Sequence, residues 1–428
     1  MWFARENEVY VVGVAGIPFV AIDVGVLPSK LKETAKRVIE VDIPRLEAES
    51  GLKIKAEYPF NKSSYSGIAA RDLALVALEA LFKNVPAIAP ERVDVFRIGS
   101  VICHKTEEIN MHAFAKVVAL RAGMKRADSE TKDKACSSAL AAAGEAYRMI
   151  KNGDADFAVA GGIEKMCDVS DRLVRLGLTN PFDGRLMAAL ANEVAGEFNL
   201  TREELDDYAY GSCRRAKEWQ GKHRFIAPVQ TLNGTIIQFD ERVERRAVDR
   251  KVFAKAQRYP QYADKEDSPK CDVVTWLNSA QYAGGGGFVF LASGKMVKKH
   301  NLSKLARILA FSVASGGEPK NFILKPEEAI QKCLDATGLH WNDIGHIEDN
   351  EAFSVGPVLL MLLHHIERER MNRGGGAISH GHAIGGTTGR LLVKDIDIME
   401  RDKEKYTVVT ACNAVDEAPA MFLVNPYV

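Results

Sequence analysis

The sequence predicts an α/β protein with a duplicated core, helices lying between and outside two sheets, and a charged segment inserted between the halves. Three observations carry this prediction. Helical and strand-like patterns alternate in both halves of the chain, as layered α/β structure with right-handed crossovers requires. A loop that opens a helix, followed by a buried strand, occurs after Cys136 and again after His382. The stretch from about Met166 to Lys270 is far more charged than either flank.

The elements follow in order. The mixed charges of "MWFARENE" do not read as a secretory leader, and "VYVVGVAG" from Val9 reads as a strand. Residues from about Ile22 to Tyr65 form a polar excursion that suggests no chemistry. "ARDLALVALEALFKNVPAIAPERVDVFRIGSV" is a helix followed by a strand. In "ACSSALAAAGEAY", Leu140, Ala143, Tyr147 and Ile150 recur at helical spacing. That helix stops at Gly153, a left-handed cap, and "DFAVAGG" follows as a buried strand. Its alanines and glycine suit a central helix buried on two sides. In the insert, Thr201 and Glu204 form a capping box for "TREELDDYAYGSCRRAKEWQ", and Asn233-Gly234 marks a hairpin turn. The glycines 284–287 indicate close backbone packing rather than a phosphate loop, because no Gly-Lys-Ser/Thr follows. "PEEAIQKCLDATGLHWNDIGHIEDNEAF" is a helix and then a strand, "GHAIGGTTGRLLVKDIDIME" a glycine-rich loop opening a helix, and "KYTVVTAC" a buried strand. His364 and His365 sit at the edge of an apolar helix and read as structural. The chain divides into an N-terminal half (1–165), a loop domain covering the active site (166–270), a return strand of the first half (271–298) and a C-terminal half (299–428).

Composition removes several classes of function. Lys+Arg and Asp+Glu balance at 57 each, so no global charge points to nucleic acid or an anionic membrane. The longest apolar runs, such as "VGPVLLMLL", fall well short of a membrane span. The seven cysteines lie far apart, with no CxxC and no Cys/His cluster, which argues against a zinc site or a disulfide framework. A cytoplasmic protein with reduced thiols and no metal is expected.

Four stretches place reactive residue types at probable element ends: Cys136, Asn350 in "DNEAFS", His382 in "GHAIGG", and Cys412 in "TACNAVDEA". A thiol at a helix N-terminus beside a histidine is a nucleophile for acyl transfer, with its pKa lowered by the free N–H groups there. Asparagine can hold a water or a carbonyl oxygen, and a second thiol can move protons to and from carbon. Each also has a structural reading. Cys136 and Cys412 suit a packed core, His382 a loop hydrogen bond, and Asn350 a helix cap.

In order and spacing these stretches resemble the thiolase family. "ACSSALAAAGEAY" with "AVAGGIEKM", then "NEAF", "GGAISHGHAIGGTTGR" and a cysteine-containing C-terminal loop carry the likeness, from about Ser66 onward. "GLTNPFDG…NEVAGEFNLTREELDDYAYGS" resembles the region that binds coenzyme A. The resemblance implies a thiolase-like five-layered α-β-α-β-α core with an inserted loop domain, acting as a homodimer or homotetramer. It implies reversible cleavage of 3-oxoacyl-CoA by CoA to acyl-CoA and acetyl-CoA, in fatty acid and lipid metabolism, with coenzyme A as substrate and no other cofactor. Cys136 would carry the acyl group, His382 would take its proton, and Cys412 would protonate the departing carbanion. His382 and a water on Asn350 would hold the enolate oxygen, and the backbone N–H groups of Cys136 and Ala414 the acyl oxyanion. Met187, Arg258 and Ser279 fall where the family contacts coenzyme A.

The chain departs from the family pattern at several of these points. Glycines are usual after the second cysteine, whereas Ala414, Val415 and Asp416 stand here. β-Branched Val415 is stiffer and bulkier than glycine, and an acidic Asp416 beside an enolate would repel it. Leu186 precedes Met187 where a histidine is common, and "LNSAQ" replaces "GNASG". Two other readings are a ketosynthase, which has no use for Cys412, and a non-catalytic thiolase-like subunit that binds acyl-CoA or scaffolds a complex.

Overall fold

The computed structural model describes residues 8–26, 60–106, 113–169, 174–175, 177–245, 249–262 and 269–428. Most of the polar excursion after Ile22 lies outside them; its described ends pair as Asp23–Val26 with Phe60–Lys62.

Nine strands form the main sheet: β1 (Val9–Ala21), β2 (Val95–Gly99), β3 (Asp128–Lys132), β4 (Phe157–Lys165), β5 (Ala283–Ser293), β6 (Ala306–Ser315), β7 (His346–Asp349), β8 (Tyr406–Thr410) and β9 (Glu417–Val424). Their order is β7-β8-β9-β6-β1-β5-β4-β2-β3. The duplication is visible in the pairing. In the first half β2 runs parallel to β4, which is antiparallel to β5, which is antiparallel to β1. In the second, β7 runs parallel to β8, which is antiparallel to β9, which is antiparallel to β6. The two sheets are not separate at one end. Val9, Tyr10 and Val11 of β1 pair with Ile308, Arg307 and Ala306 of β6, stitching the halves together.

The helices repeat with the strands. Helix α1 (Ala70–Asn84) covers the outer face of the first half, burying Leu73, Ala74, Ala77, Leu78 and Leu81 against β1 and β5. Each buried leucine contributes about 1.5–3 kcal/mol. Helix α2 (Ser138–Asn152), ending at Gly153 with φ 88°, packs on β2 and β4 and also reaches β9. After it in the insert come α3 (Met187–Glu197) and α4 (Arg202–Trp219), the latter with its capping box formed. In the second half α5 (Lys325–Thr337) covers β6 and β9 from outside, and α6 (Val355–His364) follows β7. Helix α7 (Thr387–Asp402) touches α2, β4, β5, β7 and β8. The layers are therefore α1, sheet, α2 with α7, sheet, α5.

Glycine makes the central layer possible. A Cβ on Gly389 of α7 would lie 2.3 Å from the carbonyl oxygen of Gly287, and one on Gly386, just before α7, would lie 2.3 Å from that of Gly285. No side chain fits where helix and strand backbones approach this closely. The Asn233-Gly234 turn also forms, between Val229–Gln230 and Ile236–Ile237, with Gly234 at φ 86°. His364 bonds Glu327 at 2.9 Å and stacks on Trp341, a structural role.

Candidate active site

The candidate side chains collect where parallel strands end, the usual place for ligands in α/β sheets. Because the halves repeat, the positions are related in pairs. Asn350 follows β7 as Ser100 follows β2, and Cys412 lies just beyond β8 as Met166 lies just beyond β4. Cys136 precedes α2 as His382 precedes α7. The two central helices thus bring a thiol and an imidazole from opposite halves to one place, and the end of β8 adds the second thiol. Cys136, His382, Cys412, Met187 and Ala414 all line one cleft, whose walls are otherwise mainly apolar.

The residues around Cys136 fix its presentation. Ala135 is held at φ 46°, in the left-handed region. The hydroxyl of Ser137 donates to the Lys134 carbonyl (2.9 Å) and that of Ser138 to the Ala135 carbonyl (2.6 Å), while the Lys134 N–H donates to Ser138 Oγ (2.8 Å). The "CSS" sequence is therefore a turn built by its own serines. Helix α2 starts at Ser138, so Cys136 lies just outside its first turn.

This placement corrects the expectation of a lowered thiol pKa. Burial pushes Cys136 up to about 12, and its own backbone N–H offsets only part of that. Cys412 is raised well above its ordinary value, by burial first and then by the neighbouring Cys136 and Asp349. Desolvation outweighs the helix terminus, so both thiols rest protonated. An ionised Cys136 would also raise the cost of ionising Cys412.

His382 is held neutral, its pKa lowered to about 4 by burial. Its Nδ1 lies 2.8 Å from Thr387 Oγ1. That hydroxyl donates to the Ala383 carbonyl (2.9 Å) and accepts the Ala383 N–H (2.9 Å). This pattern assigns the ring proton to Nδ1, donating to Thr387, and leaves Nε2 with a free lone pair. Nε2 is buried without a partner among the described residues. It can take a proton from a thiol and, once protonated, donate to an oxyanion.

Asn350 caps nothing, since α6 begins at Val355. It is fully buried, and neither amide atom has a partner among the described residues. Its neighbours Ala352 and Phe353 line the cleft. Such orphaned polar atoms call for a water or a ligand group.

Two expected coenzyme A contacts do not reach the cleft. Ser279 is buried with its hydroxyl donating to the Thr275 carbonyl at 2.7 Å, and the next residue, Ala280, lines the wall. Arg258 is exposed at the start of a short strand, Arg258–Pro260, whose alternation turns Tyr259 inward. Tyr259 packs on Trp276 with ring centroids 3.7 Å apart and planes tilted by 32°, and both line the cleft together with the cationic Arg175. The apolar-cationic alternation of "RYP" could have pointed to Tyr259; no pattern marked Arg175. The departures after Cys412 also resolve. Val415 is exposed, and Asp416, at φ 62°, accepts the Glu318 N–H at 3.0 Å and lies 3.8 Å from Lys325. Its carboxylate is engaged away from the thiols, so the expected repulsion of an enolate does not arise there. Among the described residues no cluster of three or more metal-ligating side chains occurs, and no helix is long and apolar enough to cross a membrane.

Comparison with known proteins identifies the family and the fold. The family described as Thiolase, N-terminal domain matches residues 56–252, and Thiolase, C-terminal domain matches 302–425. A mitochondrial acetyl-CoA acetyltransferase of Bos taurus is 31% identical over 316 residues, covering 68% of this chain and 72% of that one. An acetyl-CoA acetyltransferase of Saccharomyces cerevisiae is 28% identical over 376 residues, 82% of this chain and 92% of its own. Among solved structures, the Bacillus anthracis acetyl-CoA acetyltransferase superposes with a TM-score of 0.80 at 22% identity, over 98% of this chain and 99% of that one. Human mitochondrial 3-ketoacyl-CoA thiolase gives a TM-score of 0.78 at 24% identity, with the same coverage. With two halves repeated in sequence order and pairing, and with both family domains matched in turn, the chain belongs to the thiolase family.

Proposed function

We propose that the chain is an acyltransferase of the acetyl-CoA C-acyltransferase type, exchanging 3-oxoacyl-CoA and CoA for acyl-CoA and acetyl-CoA through an acyl group on Cys136. The observation that carries this reading is the convergence of Cys136, His382 and Cys412, from two halves, on one apolar cleft. A 3-oxo carbon brought to Cys136 is attacked by its sulfur as the thiol proton passes to Nε2 of His382. Proton transfer during attack suits a thiol that burial keeps protonated at rest. The C2–C3 bond then breaks, leaving an acyl thioester on Cys136 and the acetyl-CoA carbanion. Cys412 gives that carbanion its proton. Protonated His382 then returns its proton to the Cys412 thiolate; the thiol of a second CoA attacks the thioester, its proton passes to the departing Cys136 sulfur, and acyl-CoA leaves. In the condensing direction Cys412 removes the α-proton of acetyl-CoA instead.

The oxygen that gains charge meets protonated Nε2 of His382 and a water on the open amide of Asn350. The acyl oxygen meets the backbone N–H groups of Cys136 and Ala414. Losing one such donor costs about a hundredfold in rate or more. Met187, Tyr259, Trp276 and Arg175 flank the approach that the thioester's pantetheine arm would take. All seven cysteines are free and buried, which supports a reducing compartment such as the cytoplasm. The subunit that only binds acyl-CoA loses its main support, because the loop after Cys412 is built by other side chains in place of glycines.

The test is intact-protein mass after brief mixing with acetoacetyl-CoA. The wild type should gain one acetyl group and Cys136→Ala none. No gain in either protein, with acyl-CoA binding intact, would overturn the reading for this substrate.

A further inference from the structure

The loop after Cys412 owes its shape to one side chain. Asn413 is 1% exposed. Its side-chain oxygen Oδ1 accepts the N–H groups of Val415 (3.2 Å) and Glu417 (3.1 Å), and its backbone N–H donates to the Glu417 carbonyl (2.9 Å). Its amide nitrogen donates to Glu417 Oε2 (3.2 Å) and to Ser137 Oγ (3.4 Å). Ser137 is the residue after Cys136. Lys134, in the same turn, places Nζ 2.9 Å from both carboxylate oxygens of Glu417. The loops that carry the two thiols come from opposite halves of the chain, and Asn413 and Glu417 tie them side by side.

We propose that Asn413, braced by the Lys134–Glu417 ion pair, is a positioning residue that fixes the Cys412 loop against the Cys136 turn. The inference rests on the acyltransferase reading above. Its chemical content is a difference between two steps. Transfer of acetyl from acetyl-CoA to Cys136 forms one thioester, breaks another and releases CoA as its thiol; it needs one cysteine. Cleavage of acetoacetyl-CoA also needs a proton delivered to carbon by Cys412, so it needs both cysteines in register. A slackened clamp therefore harms the second step more than the first.

The experiment compares the wild type with Asn413→Ala and Lys134→Gln, the latter altering a half-exposed side chain that the fold can spare. Rates of Cys136 acetylation by acetyl-CoA and of acetoacetyl-CoA cleavage are measured together with KM. In Asn413→Ala, cleavage should fall at least tenfold more than acetylation, with KM within threefold; Lys134→Gln should show the same selectivity at about threefold. Equal losses, or no loss, in the folded variants overturn the proposal. A second arm needs no turnover: mass-mapped iodoacetamide labelling of Cys412 relative to Cys136. The ratio should shift at least threefold in the variants, and an unchanged ratio overturns the proposal. A wild type inert to both thioesters would sink the acyltransferase reading alone and leave this arm decisive.

Discussion

Replacing Thr387 by valine isolates the group that orients the proposed base. The hydroxyl stands 2.8 Å from Nδ1 of His382 and 2.9 Å from both the N–H and the carbonyl of Ala383. Valine keeps the branching and removes all three contacts. The Ala383 carbonyl still accepts the N–H groups of Gly386 and Thr387, each at 2.8 Å, so two buried donors are stranded, Nδ1–H and the Ala383 N–H. An unsatisfied buried donor costs about 1–3 kcal/mol. The share that falls on His382 is paid in the active tautomer and ring orientation, and at 1.36 kcal/mol per decade it amounts to about 10- to 100-fold in kcat. Burial holds His382 neutral, with its pKa at about 4, so the protonation state near neutral pH should not change. The expected result is a lower kcat for acetoacetyl-CoA cleavage, little change in KM, an unmoved acid limb of the pH profile, and recovery in Thr387→Ser. A valine variant within twofold of wild type, or a serine variant as poor as valine, would refute the reasoning.

Cys412→Ala should reduce acetoacetyl-CoA cleavage by about 10²–10⁴-fold, the usual worth of a positioned acid or base, while acetyl-CoA still labels Cys136; loss of both steps together would show that Cys412 does not act as the proton donor alone. Asp349 is held up to about 7, by burial first and then by Glu351 and Glu348, and Cys412 also feels its charge. A carboxyl whose folded pKa is raised adds stability that is complete below its unfolded value and is lost as pH rises toward 7, at most about 1.4 kcal/mol per pH unit. Urea midpoints should therefore fall between pH 4 and 7 more steeply in wild type than in Asp349→Asn, and parallel slopes would dismiss this carboxyl as the source. Lys394→Met removes the ammonium 2.8 Å from the fully buried Glu348 and leaves its carboxylate on the His346 ring, also 2.8 Å away; the change should cost about 3–5 kcal/mol in chemical denaturation. Adding Glu348→Gln should recover most of that loss, and no recovery would mean that packing rather than charge sets the cost.

Much of the site was legible because its chemistry rests on local sequence. A cysteine before an alanine-rich helix, a histidine in a glycine loop, and strands that end in Asn350 and Cys412 all follow from periodicity and caps within a few residues. The repeat was legible for the same reason, since each half carries its own pattern. What sequence missed depends on which way a side chain turns. Tyr259 faces the cleft and Arg258 the solvent because the strand alternates, and a one-residue shift would exchange them. Helix α7 depends on tertiary structure in the same way. Its Arg390, Lys394, Asp395 and Asp397 are all buried, because the helix lies between two sheets and its charges find partners such as Glu348 and Asp240.

The sequence by itself determined the elements, their repetition and the reactive residue types, since these depend on neighbours along the chain. Only the tertiary structure decided that Cys136 and Cys412 meet, that their thiols rest protonated, and that Asn413 replaces glycines in shaping the loop between them. Those properties are sums over atoms from several elements. Burial outweighs the lowering by its own backbone N–H and pushes Cys136 up to about 12, against the direction that its place before a helix would give, because desolvation counts every neighbour and a helix terminus counts only its own first turn.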